Sequence, residues 1–547
     1  MSETGEDVLE FIDDGRPQGQ LIPPPIVTIS SAPVSSAPVL FREVVALILL
    51  VLACDLTIYR STGYAGPGVL FLVAPLLLWL GTLRRKRESS LWLLAGMLVS
   101  LSVRLLWCGS FLAIVLGIGL LVLFVMSLAG LRPYLTQAAL FASQLIAAGY
   151  RGLHHYFRTF ARFSPAILRT QRFAIVLPAV TLLVFATIFV MANPDLVKSL
   201  GENIAWFVDL IDNWLQQFQF TEVLFCACAG WLVTGMLRPI ISQYHATDHR
   251  VTVSEIPAKS PYYDAYRNTL AVVIGLFAVY LVFEFQTLWF RKFPEGFHYS
   301  GYAHEGAAWL TVALGLATLM LSLIFRGTIL ADPRLSRLRT LSWIWSIENL
   351  LLAVAVFNRL SIYIGFNGMT RMRVIGLLGV ASVVVGFLLV LRKIACNHGF
   401  TWLIRRQLWT VAFAVFLYAV LPVDAYVNHF NVQRIMAGDP RPSVQISWHP
   451  TSDEGYLRLL PLIDCSDPII KDGIHGMLDE KLVNLEIEMA SEQSQSWTAK
   501  QIATDRLVAQ LRTAKPRWST DRWWSSTNFS LRQGAIDRFR QYAFQWY

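Results

Sequence analysis

Residues 110–130 read SFLAIVLGIGLLVLFVMSLAG, 21 positions without one ionisable side chain. An α-helix needs about 20 apolar residues to cross roughly 30 Å of hydrocarbon, where the backbone has to satisfy its own hydrogen bonds. Outward from this stretch, ten more of the same character centre on residues 42–59, 66–83, 91–107, 172–192, 220–240, 268–290, 305–326, 341–359, 372–391 and 402–423. The expected fold is all-α: a polytopic transmembrane helical bundle of about 11 spans over residues 41–424, followed by an extracytoplasmic helical domain at 425–547.

Composition points the same way. Of 547 residues, 55% are hydrophobic and 15% charged, with a mean hydropathy of +0.49. One soluble core cannot hide that much apolar surface, so lipid has to solvate part of it. The net charge of +9 would suit nucleic acid, but the arginines cluster in short segments between apolar runs, and no nucleic-acid partner is expected. Residues 1–40 are acidic, proline-rich and serine-rich, and are expected to form a disordered cytoplasmic tail with no cleavable signal peptide.

Lysine and arginine concentrate on the cytoplasmic side of membrane proteins. Segments 84–90, 131–172, 238–267, 326–340 and 392–406 hold 22 of them, against 6 in the alternate loops. This predicts a cytoplasmic N-terminus and an extracytoplasmic C-terminus. Residues 135–150 are apolar but short and interrupted by glutamines; a crossing there would invert everything after it.

Three further segments have a distinct character. Residues 193–219 place Leu200, Ile204, Phe207, Ile211, Trp214 and Phe218 on one stripe, predicting an amphipathic helix on the outer surface. Residues 151–163 combine Arg151, Arg158 and Arg162 with Leu153, Phe157 and Phe160, which suits a bilayer with anionic headgroups. Residues 425–547 hold 14 basic and 14 acidic residues and end in a cluster of Trp518, Arg522, Trp523, Trp524 and Trp546. Such a region could meet an envelope protein partner, with internal packing as the default reading of the tryptophans.

Ionisable groups inside spans are costly and therefore informative. They are Asp55, Arg104, Glu284 and Glu348. Asp55 and Arg104 are expected to form a structural ion pair. Glu348, beside Asn349, is a candidate proton or cation site, with an interhelical hydrogen bond as the structural alternative. The six cysteines have neither a disulfide pattern nor zinc-ligand spacing, and Cys226-x-Cys228 reads as thiols buried in a helix. His304-Glu305 lacks a zincin's second histidine because position 308 is Ala. No phosphate loop or nucleophile elbow occurs either, so no metal, cofactor or catalytic residue is assigned.

The outer loops are the most distinctive segments. Tyr302-Ala303-His304-Glu305-Gly306, then Arg359, Tyr363, Gly368, Thr370 and Arg373, then Asn431 with Arg434 form three patterns. Through them, residues 265–545 resemble an uncharacterised bacterial family of multi-pass inner-membrane proteins, a domain of unknown function. His304 stands where that family has arginine, and Met369 where it has leucine. The resemblance implies a location and an architecture and carries no activity.

The residues singled out for a ligand or ion are Glu284, Glu348, His304, Glu305, Arg359, Tyr363, Thr370, Arg371 and Arg373. Arginines at the outer face could hold an anion or a lipid headgroup; equally, Gly365 and Gly368 permit a tight turn and Thr370 can cap the next helix, so the loop could simply be anchored. The resulting expectation is a non-enzymatic envelope scaffold or sensor. A transporter or channel, and a membrane enzyme acting on headgroups or glycans, are the alternatives.

Overall fold

The computed structural model describes residues 38–82, 89–163, 177–182, 220–240, 259–286, 299–325, 332–396, 398–491, 496–519 and 529–546, with isolated positions 184, 185, 188 and 329. Outside them lie residues 1–37 of the expected tail, the basic segment 84–88, most of the expected span at 172–192, the amphipathic stripe at 193–219, and Arg522, Trp523 and Trp524. The described residues contain helices and no strand.

The bundle helices in chain order are α1 (Phe41–Cys54, continued by a π-helical turn over Asp55–Tyr59), α2 (Ala65–Gly81), α3 (Ser89–Cys108), α4 (Phe111–Leu128), α5 (Leu135–Phe163), α6 (Phe220–Leu237), α7 (Tyr263–Glu284), α8 (Tyr299–Ile324), α9 (Leu335–Asn367), α10 (Arg371–Cys396) and α11 (Phe400–Val420). Seven of them, α3, α4, α6, α7, α9, α10 and α11, are long and apolar enough to cross a membrane. Residues 110–130 form α4, capped by Ser110, whose hydroxyl accepts the Ala113 N–H at 3.3 Å.

Two apolar cores hold these helices. Phe71, Leu78, Leu98, Leu101, Leu105 and Phe124 centre the first, formed by α1–α4 and α6 with Phe416 of α11. The second, among α7–α10, divides into one cluster around Trp345, Leu321 and Val390 and another around Leu281, Leu314, Leu352 and Val356. α11 bridges the two halves, packing on α10 and touching α3, α4 and α5.

Helix polarity is legible from side-chain ties. Ser90 and Ser127 hydroxyls meet at 2.8 Å, so the start of α3 and the end of α4 share one end of the bundle, here called basal. Tyr59 meets Thr221 at 2.6 Å at the opposite, apical end.

The segment 135–150 belongs to α5. At its entry, Tyr134 lies 4.0 Å under the Arg405 guanidinium, and the Pro133 carbonyl accepts Trp409 Nε1 at 3.1 Å. Near its exit the Tyr156 hydroxyl donates to Glu43. Arg405 and Glu43 both sit at basal helix starts, so α5 runs across the basal end. It crosses α6 closely because Gly149, Gly152 and Gly235 line the contact; a Cβ on Gly235 would lie 2.2 Å from the Leu145 carbonyl oxygen. Trp231 Nε1 also donates to the Ile146 carbonyl at 2.7 Å.

At the apical end follow α12 (Val423–Met436), α13 (Ser443–Trp448), α14 (Asp453–Tyr456), α15 (Pro468–Ala490), α16 (Ile502–Ala514), α17 (Pro516–Ser519) and α18 (Phe529–Phe544). They surround a third core with Leu459, Ile474, Leu478, Leu482, Leu507, Leu511, Trp518 and Phe539. Trp518 is thus a core residue, with His475 stacked on its ring at 5.8 Å. α15 begins with Asp467, which accepts the Ile469 N–H at 2.9 Å, followed by Pro468 at the first helical position.

Candidate functional site

α9 ends at Gly368, whose φ of +86° is open to glycine and strained for other residues. The turn reverses the chain into α10, and Thr370 caps that helix by accepting the Arg373 N–H at 3.2 Å. α12 packs on this turn. Asn431 on α12 accepts the Met369 N–H at 2.7 Å and donates to the Met369 carbonyl at 2.9 Å, closing both backbone groups as a neighbouring strand would. A Cβ on Gly368 would lie 2.5 Å from Asn431 Oδ1, so the close approach also requires glycine.

Arginines complete the clasp. Arg434 donates to the Gly365 carbonyl at 2.7 Å and, at 2.9 Å, to the Ile364 carbonyl, which also accepts the Gly368 N–H at 2.9 Å. Arg373 donates to the Gly368 carbonyl and stacks 3.8 Å from the Tyr363 ring centre. Arg371 forms a two-pronged pair with Asp424, which also accepts the Ser452 N–H at 2.8 Å. Asp439 is shared by Arg434, at 3.1 Å from its Nε, and Arg441, at 2.8 Å. Burial opposes ionisation of Asp424 and Asp439, but the arginine hydrogen bonds prevail and hold both below the usual carboxylate range.

Of the residues singled out from the sequence, Tyr363, Thr370, Arg371 and Arg373 meet in this clasp. Arg359 does not. It faces α7, where its Nε donates to Glu284 Oε1 at 2.5 Å, and Tyr280 donates to Glu284 Oε2 at 2.9 Å. Glu284 is 1% exposed and Arg359 4%, so each neutralises a charge that neither could carry alone in the bundle.

Asp55 and Arg104 do not pair with each other. Asp55 lies 3.1 Å from Arg60 in its own π-helical turn, whereas Arg104 reaches the apical helices and grips Glu454 at 2.5 and 2.6 Å. Trp107 Nε1 donates to the same carboxylate at 3.1 Å. The expectation failed because Glu454, 350 positions along the chain, offers a bidentate partner. Glu348 and Asn349 fall between the two clusters of the second core. Asn349 Nδ2 donates to the Trp345 carbonyl at 2.7 Å, while Glu348 Oε2 and Asn349 Oδ1 are shielded and find no hydrogen-bond partner among the described residues. His304 and Glu305 belong to the first turns of α8, and their side chains lie outside the described residues.

Sequence reasoning missed the basal tie. Glu43 and Arg238 are both buried, with Arg238 Nε donating to Glu43 Oε1 at 2.5 Å and its NH2 to Oε2 at 2.9 Å, so α1, α5 and α6 meet at one carboxylate. The signal was an acid at the start of one apolar run and an arginine at the end of another. Asp424, Asp439 and Glu454 were missed because their apolar surroundings come from distant segments.

Among the described residues, no group of three or more histidine, cysteine, aspartate or glutamate side chains could hold a metal ion. A family model described as Domain of unknown function (DUF4153) matches residues 72–447. The match begins within α2 and ends in α13, so it takes in the clasp's arginines, Asn431, Asp424 and Asp439, and it starts well before residue 265, where the sequence patterns begin. No curated protein and no solved structure matches the chain.

Proposed function

The chain belongs to the family of the Domain of unknown function (DUF4153), a membrane protein of unknown activity, and from that premise we propose that it is a non-enzymatic scaffold or sensor of the bacterial cell envelope. In this reading the bundle sits in the inner membrane with its basal end cytoplasmic. The apical helices project outside, where they meet an envelope partner. The excess of arginine and lysine in segments 84–90, 131–172, 238–267, 326–340 and 392–406 over the alternate loops supports the orientation.

One observation carries the reading. Three of the arginines that the sequence singled out are engaged in internal ties: Arg359 with Glu284, Arg371 with Asp424, and Arg104 with Glu454. Acid–base catalysis needs a group free to exchange its proton near a substrate, whereas the first pair ties α9 to α7 and the other two fasten the apical helices to the bundle. A rigid joint of this kind suits a protein that presents a surface or transmits its displacement.

Photo-crosslinking amino acids at the exposed apical positions Trp448, Ile487 and Trp497 test it in living cells. A reproducible adduct with one envelope protein is expected. Adducts with lipid alone at all three positions would overturn the scaffold reading. A second reading, transport of a small ion or solute, is favoured by the shielded, unpaired Glu348 and Asn349 oxygens; it requires flux that Glu348→Gln abolishes.

A further inference from the structure

Ile146, Tyr150, Leu153, Phe157 and Phe160 recur along α5 at intervals of four and three residues. At about 3.6 residues per turn they fall within one arc of about 80°. All five are exposed, from 38% at Leu153 to 72% at Phe157, so no described part of the chain covers them. The adjoining arc carries Arg151, His154 and Arg158, exposed as well. The remaining side is buried in the bundle, with Phe141 and Leu145 in the first core and Tyr156 on Glu43.

α6 sets the depth of this helix. Gly149 abuts Trp231, Gly152 abuts Thr234, and Gly235 abuts the Leu145 carbonyl, all within the last two turns of a helix long and apolar enough to cross a membrane. At about 1.5 Å per residue the crossing lies within about 10 Å of the end of that span. This is the boundary between acyl chains and headgroups, where an amphipathic helix settles in the plane of a membrane. The apolar arc also continues the outer face of α6: Trp231 and Leu232 are exposed there, and the Trp231 ring lies 6.5 Å from that of Tyr150. Acyl chains cover the outward face of a span, and the stripe on α5 extends that face.

We propose that α5 is an in-plane helix of the leaflet at the basal end, with its apolar arc among the acyl chains and with Arg151 and Arg158 on the phosphates of anionic headgroups. An apolar arc beside a basic one matches this boundary, where hydrocarbon and phosphate adjoin. A soluble partner would have to displace the lipid that already covers Trp231 and Leu232. Tyr156 of the same helix donates to Glu43, which Arg238 also holds, so the charge of the leaflet acts on the buried tie between α1 and α6. The inference rests on the membrane character of the bundle and is independent of what the apical helices meet.

The test uses the full chain in a cysteine-free background, in nanodiscs of phosphatidylcholine with phosphatidylglycerol. Nitroxides are attached at Ile146→Cys, Leu153→Cys and Phe157→Cys on the apolar arc and at His154→Cys and Arg158→Cys on the basic arc. Collisions are read with molecular oxygen, which concentrates in acyl chains, and with a nickel chelate, which stays in water. The apolar arc should favour oxygen and the basic arc nickel. Nickel favoured on both arcs would leave α5 in water, and oxygen favoured on both would make it a membrane crossing. Protection of the apolar arc from both reagents would mean a protein cover, such as a second copy of this chain. Each of these three outcomes overturns the proposal.

The headgroup is read separately, by thermal unfolding in zwitterionic detergent titrated with phosphatidylglycerol. The midpoint should rise. The lipid fraction that gives half of the rise should increase about fivefold for each of Arg151→Gln and Arg158→Gln, the equivalent of about 1 kcal/mol per arginine at a charged surface. Both side chains are exposed, so neither change opens a cavity. No rise, or the same half-point when both arginines are replaced, overturns the assignment of anionic headgroups to α5.

Discussion

Asn431 on α12 closes both the N–H and the carbonyl of Met369, 62 positions earlier in the chain, and in doing so joins the apical helices to the turn between α9 and α10. The contact is fully buried, with Asn431 0% exposed. Removing the side chain leaves two backbone groups without partners or water. Asn431→Ala should therefore cost about 2–6 kcal/mol, at about 1–3 for each unmet group, read as a lowered unfolding midpoint in detergent. A midpoint equal to that of the wild type would show that the clasp contributes nothing to stability.

Gly368→Ala attacks the same joint from the other side. At φ +86° a Cβ is strained by about 1–2 kcal/mol, and here it would also push on Asn431 and Pro442. We expect a loss at least as large as that of Asn431→Ala, with little further loss when both are combined, because the first change already disrupts the contact. Full additivity in a double-mutant cycle would separate the two residues.

Arg359 and Glu284 form the buried pair of the second core. Arg359→Met should destabilise by about 3–5 kcal/mol because it strands a carboxylate, and Arg359→Met with Glu284→Gln should recover much of that loss. Yields of folded protein by size-exclusion chromatography give the order. A double variant worse than the single one contradicts a purely structural pair.

Asp424 and Asp439 impose an acid limit. Both are held below the unfolded value of about 3.9, so the stability they contribute is complete above that value and is lost as pH falls through their folded values. Unfolding midpoints should change little from pH 7 to 5 on account of these groups and drop below about pH 4. Asp439→Asn should lower the neutral midpoint and flatten the acid limb; an unaltered limb would assign the drop to other carboxylates.

The course of α5 makes a labelling prediction. In a cysteine-free background, cysteines at Ser143 and Arg158 should share the accessibility of one at Ser89, all at the basal end, whereas one at Ser466 should label from the opposite side. Labelling of Arg158→Cys together with Ser466→Cys would mean that α5 crosses the membrane.

The helices were legible from local pattern: runs such as 110–130 and 402–423 became α4 and α11 because a long apolar run in lipid has no backbone solution but a helix or a closed barrel. The clasp was legible in part. Thr370 as a cap and Gly368 as a turn are local properties, readable from residue type and spacing. The partner of Arg104 was not readable, since nothing near position 104 specifies that Glu454 lies above it.

By itself, then, the sequence determined the all-helical class, the membrane character and the special turn at Gly368, each of which depends on residues within about one helix length. Only the tertiary structure decided that α5 lies across the basal end, that Arg359 belongs to Glu284, and that Arg371 belongs to Asp424. Charge pairing in a bundle depends on which helices become neighbours. That choice is made by packing of apolar and small side chains over long sequence separations, to which the ionisable residues then conform.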